Sequence, residues 1–204
     1  MSEHVDVPPR RTGRALALML VSLVVYTALD LGTKEWALEH LSEQRSGEQP
    51  AVCEADQNGR LAPQRLANEG RPLVEGVLNL RYAENCGAAF SMLHTAPGWV
   101  RLLVFGVANI GAVIALTLMF VRGAGGGMFA AAVPLIMSGA IGNLSDRLRH
   151  GFVVDFIQVD PALFRYPVFN VADIAIAVGV GLILLDGLKK PPATPARAEP
   201  ASAR

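Results

Sequence analysis

Charge is scarce in this chain, and neither sign is in excess. Of its 204 residues 18% are charged, and 18 basic side chains balance 18 acidic ones, whereas soluble domains carry roughly 25%. The balance leaves out the basic footprint of a nucleic-acid binder, so no nucleic-acid partner is expected. Two cysteines cannot build a disulfide framework, and no Cys/His cluster has zinc-ligand spacing. Neither a metal nor a cofactor is expected. The four histidines, at positions 4, 40, 94 and 150, lie in a tail or in flanks, and no serine stands in a G-x-S-x-G elbow. A Ser/His/Asp hydrolase is therefore not supported. There is no internal repeat. What is abundant is apolar side chain, at 51% of the chain.

The apolar residues gather into four blocks, at 15–29, 102–121, 128–144 and 168–185. The second holds no charge over 20 positions, enough to cross a bilayer core at about 1.5 Å per residue. The first and third are near the lower length limit, and the third is rich in Ala and Gly. The reading is an all-α membrane protein with four transmembrane helices. The first block has a basic flank like a signal peptide, but no A-x-A-like cleavage site follows it, so an uncleaved first span is expected. Arg10, Arg11 and Arg14 precede span one, Arg122 lies in the turn after span two, and Lys189 and Lys190 follow span four. The positive-inside bias then places both termini and that turn in the cytoplasm. Residues 31–98 and 145–168 face outward, and Arg147, Arg149 and Arg165 weaken the bias without reversing it. Residues 1–13 and 189–204 are expected to be disordered tails around a membrane domain at 14–188, with 43–76 as an exposed outer insertion. Partial alternation over 77–82 signals a short strand.

Ionisable or amide groups at span ends are costly unless paired or working. Asp30 follows span one, where a carboxylate opposes the dipole of a helix C-terminus, and Lys34 four residues on could pair with it. Asn85 and Gly87 belong to NCGAAFS at 85–91; Gly87 permits a tight turn and Asn85 can donate and accept. Asn143 and Arg147 share a helical face if span three runs on. Asp155 stands in the apolar run FVVDFI at 152–157, surroundings that raise a carboxyl pKa, although a strand with one solvent-facing Asp reads the same way. Asn170 as N-cap with Asp173 at the third helical position makes a capping box. Asp155 and Asp173 both fall near the outer membrane boundary. Two carboxylates sharing a site cannot both ionise easily, so one holds a proton while the other is a base. That pairing can activate water and protonate a leaving amine. The spacing allows the two to meet without requiring it.

Taken in order, Asp30 with Lys34, NCGAAFS at 85–91, GAIGNLSDR at 139–147, VDF at 154–156 and FNVAD at 169–173 resemble the blocks of the bacterial lipoprotein signal peptidases (signal peptidase II). The resemblance spans roughly residues 14–188. It implies a four-span inner-membrane aspartyl endopeptidase, with a small outer-face β-cradle and a covering loop at 145–168. Such an enzyme removes signal peptides from prolipoproteins, cutting on the N-terminal side of a diacylglyceryl-modified cysteine. It implies that Asp155 and Asp173 are catalytic. Asn85, Gly87, Asn143, Arg147 and Asn170 would position substrate or dyad, and Asp30 and Lys34 would support the site, so that Lys34→Ala should be milder than loss of either catalytic Asp. The expected partners are prolipoproteins and membrane lipids, with the chain a monomer. The segment 43–76 is longer than the family normally has there. Cys53 and Cys86 both fall on the outer side, where a disulfide is permitted and would tie the insertion beside the site; two free thiols are the expectation.

Two other readings compete. A transporter or proton relay would place ionisable residues near mid-span, yet spans two and three have none there. An inactive homologue would have lost the chemistry, yet both Asp residues are present.

Overall fold

The structure, a computed structural model, describes residues 11–54, 60–87, 97–160 and 166–189, without the side chain of Arg101. Both proposed tails lie almost entirely outside these residues, as do residues 88–91 of the Asn85 block. Among the described residues, four helices are long and apolar enough to cross a membrane: α1 (Gly13–His40), α2 (Gly98–Val121), α3 (Gly127–His150) and α4 (Val171–Leu188). At 1.5 Å per residue even α4, with 18 residues, reaches about 27 Å, close to the thickness of a bilayer core.

Two helices outrun their apolar blocks. Helix α1 continues ten residues beyond Asp30, and α3 continues through Asn143, Asp146 and Arg147 to His150. Hydropathy falls where charge begins, but the helices continue, with Lys34 paired to Asp30 and Asp146 inside the bundle. Gly151, in the left-handed region at φ 83°, closes α3.

Helix α3 is the central element and packs on α1, α2 and α4. Large apolar side chains of the outer three, such as Leu20, Val24, Leu103, Val107 and Leu184, are exposed, which suits lipid contact. The α3–α4 approach depends on small residues. A Cβ added to Gly139 would meet the Ala172 carbonyl oxygen at 2.5 Å and Ile176 Cγ1 at 2.6 Å. Gly139→Ala is therefore expected to force the helices apart and to cost about 1–3 kcal/mol. Thermal unfolding in detergent checks this, and an unchanged melting temperature would contradict the tight crossing.

Outside the bundle, the described residues form two antiparallel sheets. Strand β1 (Ser42–Gln44) pairs with β2 (Arg65–Ala67), both flanking or within the insertion. Strands β3 (Arg71–Val74), β4 (Leu78–Asn85) and β5 (Val153–Val159) form the second sheet in the order β3-β4-β5. The strand signal at 77–82 is thus realised one residue later and runs longer. The stretch 145–168, expected as a covering loop, supplies the last turn of α3 and all of β5. The β4–β5 ladder pairs Ala83 with Asp155 and Asn85 with Val153. The sheet packs on the C-terminal end of α1 through Ala37, Leu38, Leu41, Tyr82, Phe152, Val154 and Phe156, joined by Cys53.

The cysteines depart from expectation. Cys53 and Cys86 form a disulfide, with Cα atoms 5.5 Å apart. Burial of Cys53 in this apolar cluster, together with contacts from Glu84 to the insertion, folds 43–76 back onto the end of β4. That proximity depends on tertiary packing across a separation of 33 residues.

Candidate active site

All nine positions singled out in the sequence, eight polar side chains and Gly87, converge where β4, β5 and the start of α4 meet the C-terminal halves of α1 and α3. The capping box at α4 is formed. Asn170 Oδ1 accepts the Asp173 N–H at 3.0 Å, and Asp173 Oδ2 accepts the Asn170 N–H at 3.2 Å. This holds Asp173 in the first turn, half-buried. Asp155, on β5, is 2% exposed, which excludes the solvent-facing strand reading. Its Oδ1 accepts from Asn170 Nδ2 at 2.6 Å and its Oδ2 accepts from Asn85 Nδ2 at 3.0 Å. Asn170 therefore touches both carboxylates.

Asn143 completes the link from α3. Its Nδ2 donates to Asp173 Oδ1 at 2.9 Å, while its Oδ1 accepts from Asn170 Nδ2 at 3.2 Å and from Lys34 Nζ at 2.8 Å. Arg147, one turn on, donates to the Asn143 carbonyl at 3.2 Å and to the Gly87 carbonyl at 2.9 Å. Its guanidinium lies 4.3 Å from the centre of the Phe105 ring, a cation–π contact. The Gly87 N–H donates to Asn85 Oδ1 at 3.1 Å, so a short turn fixes which face of the Asn85 amide points at Asp155.

Behind this cluster, Lys34 is 2% exposed and lies 2.9 Å from Asp30 Oδ2 and 3.2 Å from Asp146 Oδ2. Asp30 is not at a helix end. It lies inside α1, and its Oδ1 accepts the Ala172 N–H at 2.8 Å. The carboxylate thus satisfies an otherwise unpaired donor at the positive N-terminal end of α4, a favourable placement. Asp146 was not singled out from sequence. It holds the Val154 N–H at 3.0 Å as well as Lys34, tying β5 to α3. The available signal was its position between Asn143 and Arg147 on a helix that had to continue.

Two cations, Lys34 and Arg147, face four carboxylates: Asp30, Asp146, Asp155 and Asp173. Burial first, and the charge of Asp173 second, push the Asp155 carboxyl up to about 7, against the opposing hydrogen bonds from Asn85 and Asn170 and the charge of Lys34. A carboxyl in that range at neutral pH can serve as an acid while a neighbour serves as a base.

Four membrane-length helices carrying a buried polar site at one end define a multi-pass membrane enzyme. The signal peptidase (SPase) II family matches residues 22–189. A lipoprotein signal peptidase of Photorhabdus laumondii is 36% identical over 169 residues, covering 83% of this chain and 86% of that protein. One from Yersinia enterocolitica is 34% identical over 174 residues, covering 85% and 87%, and one from Actinobacillus succinogenes is 46% identical over 113 residues, covering 55% and 69%. Two bacterial membrane enzyme structures solved by the in meso method share the fold, with TM-scores of 0.60 and 0.62 at 22% and 23% identity, covering 88% and 89% of this chain and 96% and 98% of theirs. The chain belongs to the signal peptidase II family. It is an aspartic-type endopeptidase of a bacterial membrane that processes the signal peptides of prolipoproteins.

Proposed function

We propose that Asp155 and Asp173 are the catalytic dyad of this peptidase, with Asn85, Gly87, Asn143, Arg147 and Asn170 holding dyad or substrate and Asp30 and Lys34 supporting them. The observation that carries the reading is the bridge through Asn170, whose Nδ2 lies 2.6 Å from Asp155 Oδ1 while its N–H lies 3.2 Å from Asp173 Oδ2. The half-buried Asp173 is the base and Asp155 the acid. As water attacks the scissile carbonyl carbon, Asp173 takes its proton and Asp155 protonates the carbonyl oxygen. Collapse of the gem-diol returns a proton to Asp155 and breaks the C–N bond, and the amine leaves with the proton held by Asp173. Arg147 anchors the Asn143 and Gly87 carbonyls, so its part is positioning.

The rest of the reading concerns place and partners. The protein is a monomer of the inner membrane, with both termini cytoplasmic and membrane lipids around its exposed apolar helix faces. Support comes from the end of the bundle remote from the dyad. There Arg11 donates to the Ala124 carbonyl at 3.0 Å and Asp186 accepts the Gly126 N–H at 2.7 Å, gathering the start of α1, the α2–α3 turn and the end of α4. Asp186 lies 13 positions after Asp173, or about 20 Å along the helix. The disulfide beside the dyad suits an oxidising outer compartment. A substrate carrying diacylglycerol would enter laterally, its acyl chains in the bilayer and its scissile bond at the boundary.

The test is electrophoretic. Purified protein in detergent should convert a diacylglyceryl-modified prolipoprotein to its shortened form, with the Asp155→Asn variant inert alongside. A folded parent that leaves several such substrates uncut would return the chain to the inactive-homologue reading.

The charge balance also sets a pH profile. The groups facing Asp155 are Asp173 from α4, Lys34 from α1, Arg147 from α3, and the uncharged Asn85 and Asn170. Titration of the coupled carboxylates belongs to the pair. As pH rises through about 7, the pair loses its retained proton, so kcat should fall roughly tenfold per pH unit above that point. A kcat that stays level from about pH 6 to 9 would exclude the shared-proton scheme.

A further inference from the structure

The insertion at 43–76 has no role in the mechanism, yet it grips the chain on both sides of Asn85. On one side, Glu84 Oε2 accepts the Gln64 N–H at 2.8 Å and its Oε1 accepts the Arg65 N–H at 2.8 Å. The Tyr82 hydroxyl donates to the same Glu84 Oε1 at 3.0 Å. On the other side, Cys86 is covalently joined to Cys53. Cys53 is itself fixed in the apolar cluster with Tyr82, Phe152 and Val154. The neighbouring Val52 packs on Gly151 so closely that a Cβ there would sit 2.7 Å from Val52 Cγ1.

Asn85 is the last residue of β4, and its pairing with Val153 ends the ladder. Among the described residues, Cys86 and Gly87 beyond it have no strand partner, although the 85–87 turn presents two contacts to the site. The Asn85 amide donates to Asp155 Oδ2 at 3.0 Å, and the Gly87 carbonyl accepts from Arg147 at 2.9 Å. The peptide units carrying both contacts flank Cys86. Among the described residues, the insertion holds this turn covalently from outside the site, through Cys53.

We propose that segment 43–76 is a brace for the 85–87 turn, and that the Cys53–Cys86 bond is a positioning element of the peptidase site whose reduction lowers turnover. The inference rests on the dyad reading above. Reduction by a dithiol would deliver two electrons and two protons, giving Cys53 and Cys86 thiols, while the reagent closes to its cyclic disulfide. The turn would then lose its covalent tie to the insertion and keep the Glu84 contacts and the Asn85–Val153 pair, and Asn85 would be freer to drift from Asp155.

The experiment uses the full-length chain in detergent with a diacylglyceryl-modified prolipoprotein as substrate. Thiol labelling of denatured, unreduced protein comes first and should find neither cysteine reactive. With dithiothreitol, kcat should fall about tenfold, a fraction of what a 1 Å misplacement can cost, with KM within about twofold. Reoxidation by glutathione disulfide should restore it. The double variant Cys53→Ser with Cys86→Ser should show the lowered kcat from the start and ignore the reductant. A merely structural bond would leave the pH profile of the folded enzyme unmoved. Loss of the Asn85 bond, which favours the ionised form of Asp155, should instead move the basic limb to higher pH.

An unchanged kcat and pH profile after verified reduction would overturn the brace. So would two reactive thiols in the unreduced protein, or a fall in rate that only tracks unfolding and does not return on reoxidation. Asp155→Asn serves as the separate control. If that variant turned over like the parent, the dyad reading itself would fail; if it were inert while the parent ignored reductant, only the brace would.

Discussion

Asp155→Asn and Asp173→Asn are each expected to reduce prolipoprotein cleavage by at least about a thousandfold while leaving a folded protein, since each removes one half of the acid–base exchange. The substitutions keep shape and hydrogen-bonding reach. At Asp173, an amide oxygen can still accept from Asn143 or from the Asn170 N–H, and Asn170 still caps the Asp173 N–H. The weakened capping box should cost about 1 kcal/mol. At Asp155, two amides donate to the carboxylate, so an Asn side chain loses one of the two bonds. An electrostatic gain opposes that loss. The folded-state carboxyl is raised from 3.8 to about 7, so its contribution to stability is fully present below the unfolded value and is lost as pH rises through the folded one. At pH 8 the parent carries a buried charge that the variant lacks. The variant should therefore melt close to the parent there and compare less well with it near pH 4. The measurement pairs a gel-shift assay with thermal unfolding at both pH values. Substantial turnover by either folded variant would remove the dyad, and loss of both folding and turnover would show that the carboxylates are structural.

Much of this arrangement is legible in the chain because the relevant constraints are local. Long apolar runs give the four helices, since a bilayer demands that length. The three-residue spacing of Asn170 and Asp173 gives the capping box, and the four-residue spacing of Asn143 and Arg147 gives a shared face. What is not legible depends on partners distant in sequence. Asp30 reads as a helix end because hydropathy stops there, but the helix continues because Lys34 neutralises it and Ala172, 142 positions on, donates to it. Asp146 reads as one more polar residue until β5 supplies the Val154 N–H. Asp155 reads equally as buried or solvent-facing, since its two asparagine partners come from β4 and from the cap of α4. The disulfide needs the insertion to fold back, which no local pattern encodes.

The buried ion cluster changes the expected result for Lys34→Ala from a milder loss, of orientation only, to a loss of folded protein. Lys34 is the shared partner of Asp30 and Asp146 and also donates to Asn143 Oδ1 at 2.8 Å. Removing it leaves two carboxylates buried without their cation, a change that typically costs about 3–5 kcal/mol. The deleted side chain also leaves a void at a position only 2% exposed. For a chain of this size the melting temperature should drop by on the order of 10 °C, or the protein should fail to accumulate. Neutralising the stranded charges tests the cause. Lys34→Ala combined with Asp30→Asn and Asp146→Asn should recover part of the lost stability, because the penalty comes from unpaired charge and not from the missing methylenes alone. Activity should not recover with it. The Asn143 amide is oriented by accepting from Lys34 and Asn170 on its oxygen, which turns its nitrogen to Asp173. Without the lysine, one of the two forces that set that orientation is gone. A Lys34→Ala protein that melted with the parent and was only slow would instead make Lys34 an orienting residue.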